Sequence, residues 1–153
     1  NSTFSDRTIE NVTISDSIVP TVDDVTSDNA SSTYAEDQNI VIKVTFSESV
    51  FVSGSPIIQL AANESDNNSY ATFHMGGNNG GNSTNILSFL YTVRSGDCAT
   101  DLNYTDNISA LSANGGTIKD NSTNDANLTL PSPANARSLG GNKNIVLDHD
   151  GKC

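Results

Sequence analysis

A chain of 153 residues is long enough for one domain with a genuine core, and it carries a net charge of −11 with only 16 % charged residues. That balance excludes the basic footprint of a nucleic-acid or anionic-membrane binder, and no apolar run approaches the roughly 20 residues of a membrane-spanning helix. Trp is absent and aromatics make up 6 %, so a core must be built largely from regularly spaced aliphatic side chains.

In chain order, residues 1–19 read as a polar arm with one short alternation, Val12 and Ile14. The opening NSTFSDRTIE has neither a signal-peptide nor a transit-peptide pattern, and a mature or excised portion of something longer is expected. Pro20 then opens residues 21–26, where Val22 and Val25 suit a sheet edge; proline is tolerated at a strand start. Residues 35–39 form a tight acidic turn.

The stretch around which the rest is organised follows. Ile40, Ile42, Val44 and Phe46 alternate with Val41, Lys43 and Thr45, the period-two pattern of a strand with one face in a core. Ser47, Glu48 and Ser49 interrupt it, residues 50–52 resume it, and Gly54, Ser55 and Pro56 turn the chain into a short strand at 57–61 with Ile58 and Leu60 inward. A strand is expected at 70–74, with Ala71 and Phe73 inward. The low-complexity GGNNGGNSTN at 76–85 reads as an exposed spacer. Residues 86–93 place Leu87, Phe89, Tyr91 and Val93 in phase, with Leu90 on the opposite face.

Beyond the turn at 95–97, Leu102, Tyr104, Ile108 and Leu111 are the expected core contacts. A turn at 114–116, a strand at 117–119, a turn at 120–125, a strand at 126–130 stopped by Pro131, and a last strand at 144–148 complete the reading. Seven to nine short strands with turn clusters between them predict an all-β antiparallel sandwich, with a closed barrel as the other architecture. The domain spans residues 20–153.

Asn1, Asn11, Asn29, Asn63, Asn67, Asn82, Asn103, Asn107, Asn121 and Asn127 each open an Asn-x-Ser/Thr sequon. Chance would give about five in a chain of this composition, so the excess points to a secreted or cell-surface N-glycoprotein of a eukaryotic secretory pathway. Cys98 and Cys153 are the only cysteines, consistent with one disulfide in an oxidising compartment. Pairing within the chain and pairing between subunits both fit.

Enzyme chemistry finds little support. His74 and His149 belong to no triad, elbow or Cys–His signature. Acid pairs such as Asp23–Asp24 and Glu36–Asp37 read as solvated loop residues rather than glycosidase carboxylates. Calcium is the stronger chemical candidate: Asp97 and Asp101 flank one loop while Asp120, Asn124 and Asp125 occupy another, supplying the hard oxygen ligands that Ca²⁺ takes. Neither loop follows the helix–loop–helix calcium pattern.

The succession VTFSESV, VSGSPIIQL, YTVRSGD, DLNY, ALSANGGTIKD, ANLTLPSP and SLGGNKNIVLD resembles an immunoglobulin-like β-sandwich repeat. That repeat occurs in tandem in giant surface proteins of marine bacteria, including those linked to swimming motility, and in secreted proteins of microalgae and protists. The resemblance covers residues 20–148 and implies a fold more than an activity. Within it, Glu48 belongs to a recurrent Phe-Ser-Glu motif, where a local hydrogen-bonding role is expected. This chain departs from the repeat at Glu36–Asp37–Gln38, where a Gly-Asp turn is usual. It departs also at NSTN, 121–124, where Ala-Gly-Asn is common, and at Cys98. In such repeats a strand ending Ile-x-Asp closes one unit and Pro-Thr-Val opens the next. VTISD at 12–16 followed by PTV at 20–22 therefore implies that the arm adds a strand to a neighbouring copy.

The expected function is a non-enzymatic structural unit of a glycosylated surface or filamentous assembly, its partners being copies of itself or neighbouring repeats. A calcium-dependent adhesive or carbohydrate-binding module is the alternative.

Overall fold

The computed structural model describes residues 18–63, 68–76 and 83–148. Residues 1–17 of the arm, most of the 76–85 spacer, His149, Cys153 and the sequon asparagines Asn1, Asn11, Asn67 and Asn82 lie outside the described residues.

The long alternation becomes a single strand. Following β1 (Val22–Ser27) and β2 (Thr33–Tyr34), β3 runs unbroken over Asn39–Ser53. Its inward set, Ile40, Ile42, Val44, Phe46, Val50 and Val52, is buried, while Val41, Lys43 and Thr45 are half-exposed. The expected interruption at Ser47–Ser49 is a bulge. Thr45 faces Ile86 and Val50 faces Thr84, so five steps on β3 match two on its neighbour, and the extra residues bend the strand without losing the inward phase. Ser47 anchors the bend: it accepts the Thr21 amide at 2.9 Å on Oγ and donates its own amide to the Thr21 carbonyl at 2.7 Å.

The remaining elements are β4 (Ile57–Gln59), β5 (Tyr70–Met75), β6 (Thr84–Thr92), β7 (Cys98–Ala99), β8 (Leu111–Ser112), β9 (Thr117–Lys119), the one-turn helix α1 (Leu139–Asn142) and β10 (Val146–Asp148). The chain is thus all-β apart from α1. A large sheet runs β1-β3-β6-β5-β4-β8, with β9 joined to the far half of β3, and a small sheet runs β2-β10-β7. Every pairing between these strands is antiparallel except β10 with β2, which is parallel. Both sheets feed one core. Phe46, Phe89 and Tyr104 are its largest fully buried side chains, Leu147 enters from β10, and Phe73 meets Phe89 edge-on at 6.0 Å between ring centres, a favoured aromatic geometry.

Three expectations are corrected. Residues 126–130 form no strand: the Asn127 side chain accepts the Thr129 amide at 3.0 Å, a local turn, and the Ala126 and Leu130 amides go to the separate carbonyls of Ile118 and Asn107, so no ladder forms. Ile108 is 68 % exposed rather than in the core. The Asp106 carboxylate gathers the Ile108 amide, the Ser109 amide and the Ser109 hydroxyl, and that tight loop turns Ile108 outward while Ala110 takes the buried place. Helix α1 was not expected; Ser138 caps it, accepting the Gly141 amide at 3.0 Å, and Leu139 is fully buried.

Topology separates the two ends of the domain. Pro20 and Thr21 lie beside Ser47 and Asn127, whose amide donates to the Pro20 carbonyl. From there β1 runs antiparallel along β3 toward Ile42. β10 runs parallel to β2, toward the 36–38 turn, and ends with Asp148 opposite Cys98. The chain therefore enters the fold at one pole and leaves it at the other.

Gly116 fixes the bend between β8 and β9. A Cβ there would overlap the Ser53 carbonyl oxygen, which is backbone and cannot swing aside. Gly116→Ala is expected to cost about 1–3 kcal/mol by overpacking. Thermal melting should show a Tm lowered by roughly 3–10 °C; an unchanged Tm would mean that the β3–β9 pairing is looser than its register.

Candidate functional site

The polar side chains singled out by the sequence gather at the two poles. At the exit pole, Asp97 is fully buried just after Gly96, whose φ of +89° makes the turn. Asp97 accepts the Tyr91 hydroxyl, and the Arg94 amide at 2.8 Å; the Arg94 guanidinium stands 3.7 Å away and donates on to Ser69 Oγ at 2.8 Å. Burial, with the Asp97 carboxylate next, holds the Tyr91 hydroxyl above its ordinary pKa. Asp101, on the other side of β7, is exposed and does not join this cluster; desolvation raises its pKa.

At the opposite pole Asp120 is 3 % exposed. Its Oδ1 accepts the amides of Ser122 at 2.9 Å and Asn124 at 2.8 Å, and Oδ2 accepts Asn124 Nδ2 at 2.9 Å. Glu48 reaches it from the β3 bulge as a further hydrogen-bond partner, a local structural contact. Desolvation raises the Asp120 pKa, but these hydrogen bonds outweigh it and leave the carboxyl below the ordinary carboxylate range. Asp125 faces outward, 3.9 Å from Lys119.

The structure does not gather the expected calcium ligands at one place. Asp97 follows the Val93–Gln38 contact at the start of β3 and Asp120 follows the Lys119–Phe51 pair beside its bulge, so the two loops lie far apart along β3. Asp120 takes donors of the fold on both carboxylate oxygens, and Asp97 takes the Tyr91 hydroxyl and the Arg94 amide on Oδ2. No cluster of three or more His, Cys, Asp or Glu that could hold a metal occurs among the described residues. What the Asp120 arrangement does chemically is lock a loop, and that predicts acid sensitivity. A carboxyl whose folded pKa is depressed contributes stability that is present above the unfolded pKa near 4 and lost as pH falls through the folded value. Asp106, lowered chiefly by the Ser109 amide and then the Ser109 hydroxyl, acts with the same sign; Asp101 acts with the opposite one. Urea midpoints measured from pH 6 to pH 2 should fall less steeply for Asp120→Asn than for the native chain. Parallel curves would remove Asp120 from the acid response.

The other candidates disperse. His74 lies exposed on β5, Asp23 is exposed, and Asp24 accepts the Asn142 side chain at 2.9 Å, tying α1 to β1. Glu36 and Asp37 form the exposed turn, Asp37 with φ +70°. Cys98 is half-buried on β7, and no free cysteine occurs among the described residues. All six described sequon asparagines, Asn29, Asn63, Asn103, Asn107, Asn121 and Asn127, lie outside the strands. A shallow hollow of about 240 Å³ opens between β3 and β9, lined by Phe51, Lys119 and Asn121 among others.

Sequence reasoning missed Asn103. Its Oδ1 accepts the Tyr104 amide at 2.9 Å, and its Nδ2 donates to the Pro133 carbonyl at 3.1 Å and to Ser138 Oγ at 3.2 Å, fastening the 131–138 segment to the core. Only its sequon marked it, and a sequon carries no sign of which way the amide points. No family model, curated protein or solved structure matches this chain.

Proposed function

We propose that this domain is a non-enzymatic structural unit of a secreted, N-glycosylated surface or filamentous assembly, an immunoglobulin-like module joined end to end with further copies or neighbouring repeats. The observation that carries the reading is the position of the two chain crossings, with Pro20 at one pole and Asp148 at the other. Units threaded through opposite poles string into a line, whereas a hairpin-like pair of crossings would hang each domain from its chain as a side bead. Buried polar side chains at both poles serve the fold, as expected of a load-bearing spacer rather than a catalyst. The sequon density and the two cysteines support an extracellular setting, and within it Cys98 and Cys153 are assigned as an intramolecular pair.

Electron microscopy of native material tests the assembly. Strings or fibrils with a regular repeat are expected, and isolated globules at all concentrations would refute the reading. Glycan-array binding abolished by chelator would instead favour an adhesive module.

A further inference from the structure

Five sequons lie wholly within the described residues, opening at Asn29, Asn103, Asn107, Asn121 and Asn127, and the fold treats them in two different ways. At Asn103 the side-chain nitrogen donates into a polar pair, the Pro133 carbonyl at 3.1 Å and Ser138 Oγ at 3.2 Å, which are bonded to each other at 2.9 Å. A Cβ on Gly140 would stand 2.8 Å from that nitrogen, so the segment carrying α1 is packed against the amide. A sugar on Asn103 Nδ2 would have to displace these neighbours and has no space to occupy.

Asn29 is closed for a different reason. Its oxygen accepts the Val41 amide at 2.9 Å while its nitrogen donates to the Asn39 carbonyl at 3.0 Å. Those two groups lie on the same edge of β3, so the hydrogen in use is the one on the oxygen side of the amide. That is the position an N-linked sugar takes in a trans amide. A glycan there would pull Asn29 off the strand edge.

The other three are open. Asn121 is exposed and borders the hollow beside the half-exposed Phe51, which leaves room and an aromatic face for a first sugar ring. Asn127 is exposed, and its oxygen is engaged by the Thr129 amide, which aims the nitrogen away from the turn. Asn107 is half-exposed, and only its backbone carbonyl is used, by the Leu130 amide.

The open sequons also coincide with exposed apolar side chains. Ile108, 68 % exposed, sits inside the Asn107 sequon. Ile18 and Val19, 70 % and 41 % exposed, run beside the 124–127 segment, where the Asn127 amide bonds Pro20. A bulky solubilising glycan on either sequon would lie over the neighbouring aliphatic side chains.

The geometry points to a divided glycan map: Asn107, Asn121 and Asn127 carry N-glycans that shield Ile108 and the Ile18–Val19 pair, while Asn29 and Asn103 are structural asparagines that stay bare in the folded protein. This deepens the glycoprotein reading and rests on it for native material.

The test uses the 153-residue chain secreted from a eukaryotic host, purified as folded monomer, and treated with peptide N-glycosidase in heavy-oxygen water. Peptide mass spectrometry then finds a mass-tagged aspartate wherever a glycan stood. Tags at Asn107, Asn121 and Asn127 with none at Asn29 and Asn103 are expected. A tag at Asn29 or Asn103 in most folded molecules, or bare Asn121 and Asn127, would overturn the map. In the unglycosylated chain, Asn29→Gln and Asn103→Gln should each lower the Tm by several degrees, with Asn121→Gln and Asn127→Gln unchanged; four unchanged values would also overturn it. If the host-made chain shows the divided map but native protein carries no glycan, the secretory reading fails while the steric assignment stands.

Discussion

Asp97→Ala is expected to lower stability by about 2–4 kcal/mol. The carboxylate has no exposure and is the acceptor for the Tyr91 hydroxyl and the Arg94 amide. Its removal strips both donors of that acceptor in a place water does not reach, and takes the counter-charge from the Arg94 guanidinium. The Arg94 side chain is 40 % exposed, so it can turn to solvent, which keeps the loss below that of a fully enclosed ion pair. Asp97→Asn keeps the shape and one acceptor oxygen and should lose less. Urea denaturation reads both as a lowered midpoint at constant slope. A midpoint for Asp97→Ala equal to that of the native chain would show that the exit pole is held by packing alone.

Reducing the proposed Cys98–Cys153 bond should cost about as much. Asp148 stands opposite Cys98 in the β7–β10 register, and Cys153 lies five positions further along the sequence. A bridge between them closes a loop of 153 − 98 = 55 residues and on the chain-entropy model contributes on the order of 4 kcal/mol. The small β2-β10-β7 sheet, whose strands are two or three residues long, is the part that depends on it. Melting with and without reductant should show a large drop in Tm. Non-reducing electrophoresis should show monomer in both lanes; a ladder that collapses to monomer on reduction would assign the bond to neighbouring subunits.

The strands visible beforehand were those long enough to display a period. β3 and β6 bury the in-phase residues Ile40, Ile42, Val44 and Phe46, and Leu87, Phe89 and Tyr91, and a half-buried sheet writes that alternation directly into the side chains. β2, β7 and β8 are two residues each, and two residues have no period. Residues 126–130 and Ile108 misled for one shared reason. A short polar side chain, Asn127 in one case and Asp106 in the other, captured backbone amides that the apolar pattern had reserved for a ladder or a core. The acids of the two poles were recognisable as loop acids. Whether such an acid turns outward to a cation or inward to its own backbone depends on how its turn folds, since the donors come from two to six residues away. Tyr91 and Arg94 meet Asp97 across its own turn, with Ser69 holding Arg94 from further away, and the residue type alone does not announce them. The same holds for the sequons, where Asn103 and Asn127 look alike as motifs and differ only in what their amides touch.

The crossing of the chain from one pole to the other has a mechanical side. Tension applied to a string of such domains draws residue 20 out of one pole and Asp148 out of the other. β1 is then dragged along its own axis against β3, and β10 along its axis against β2 and β7. The five registered β1–β3 residue pairs lie in shear and must yield together, whereas a hairpin pulled open from its ends surrenders its bonds one at a time. Survival under a pulling force follows the barrier to unfolding rather than the equilibrium stability. A thin-cored, polar domain arranged this way resists stretching far better than its modest hydrophobic content would suggest.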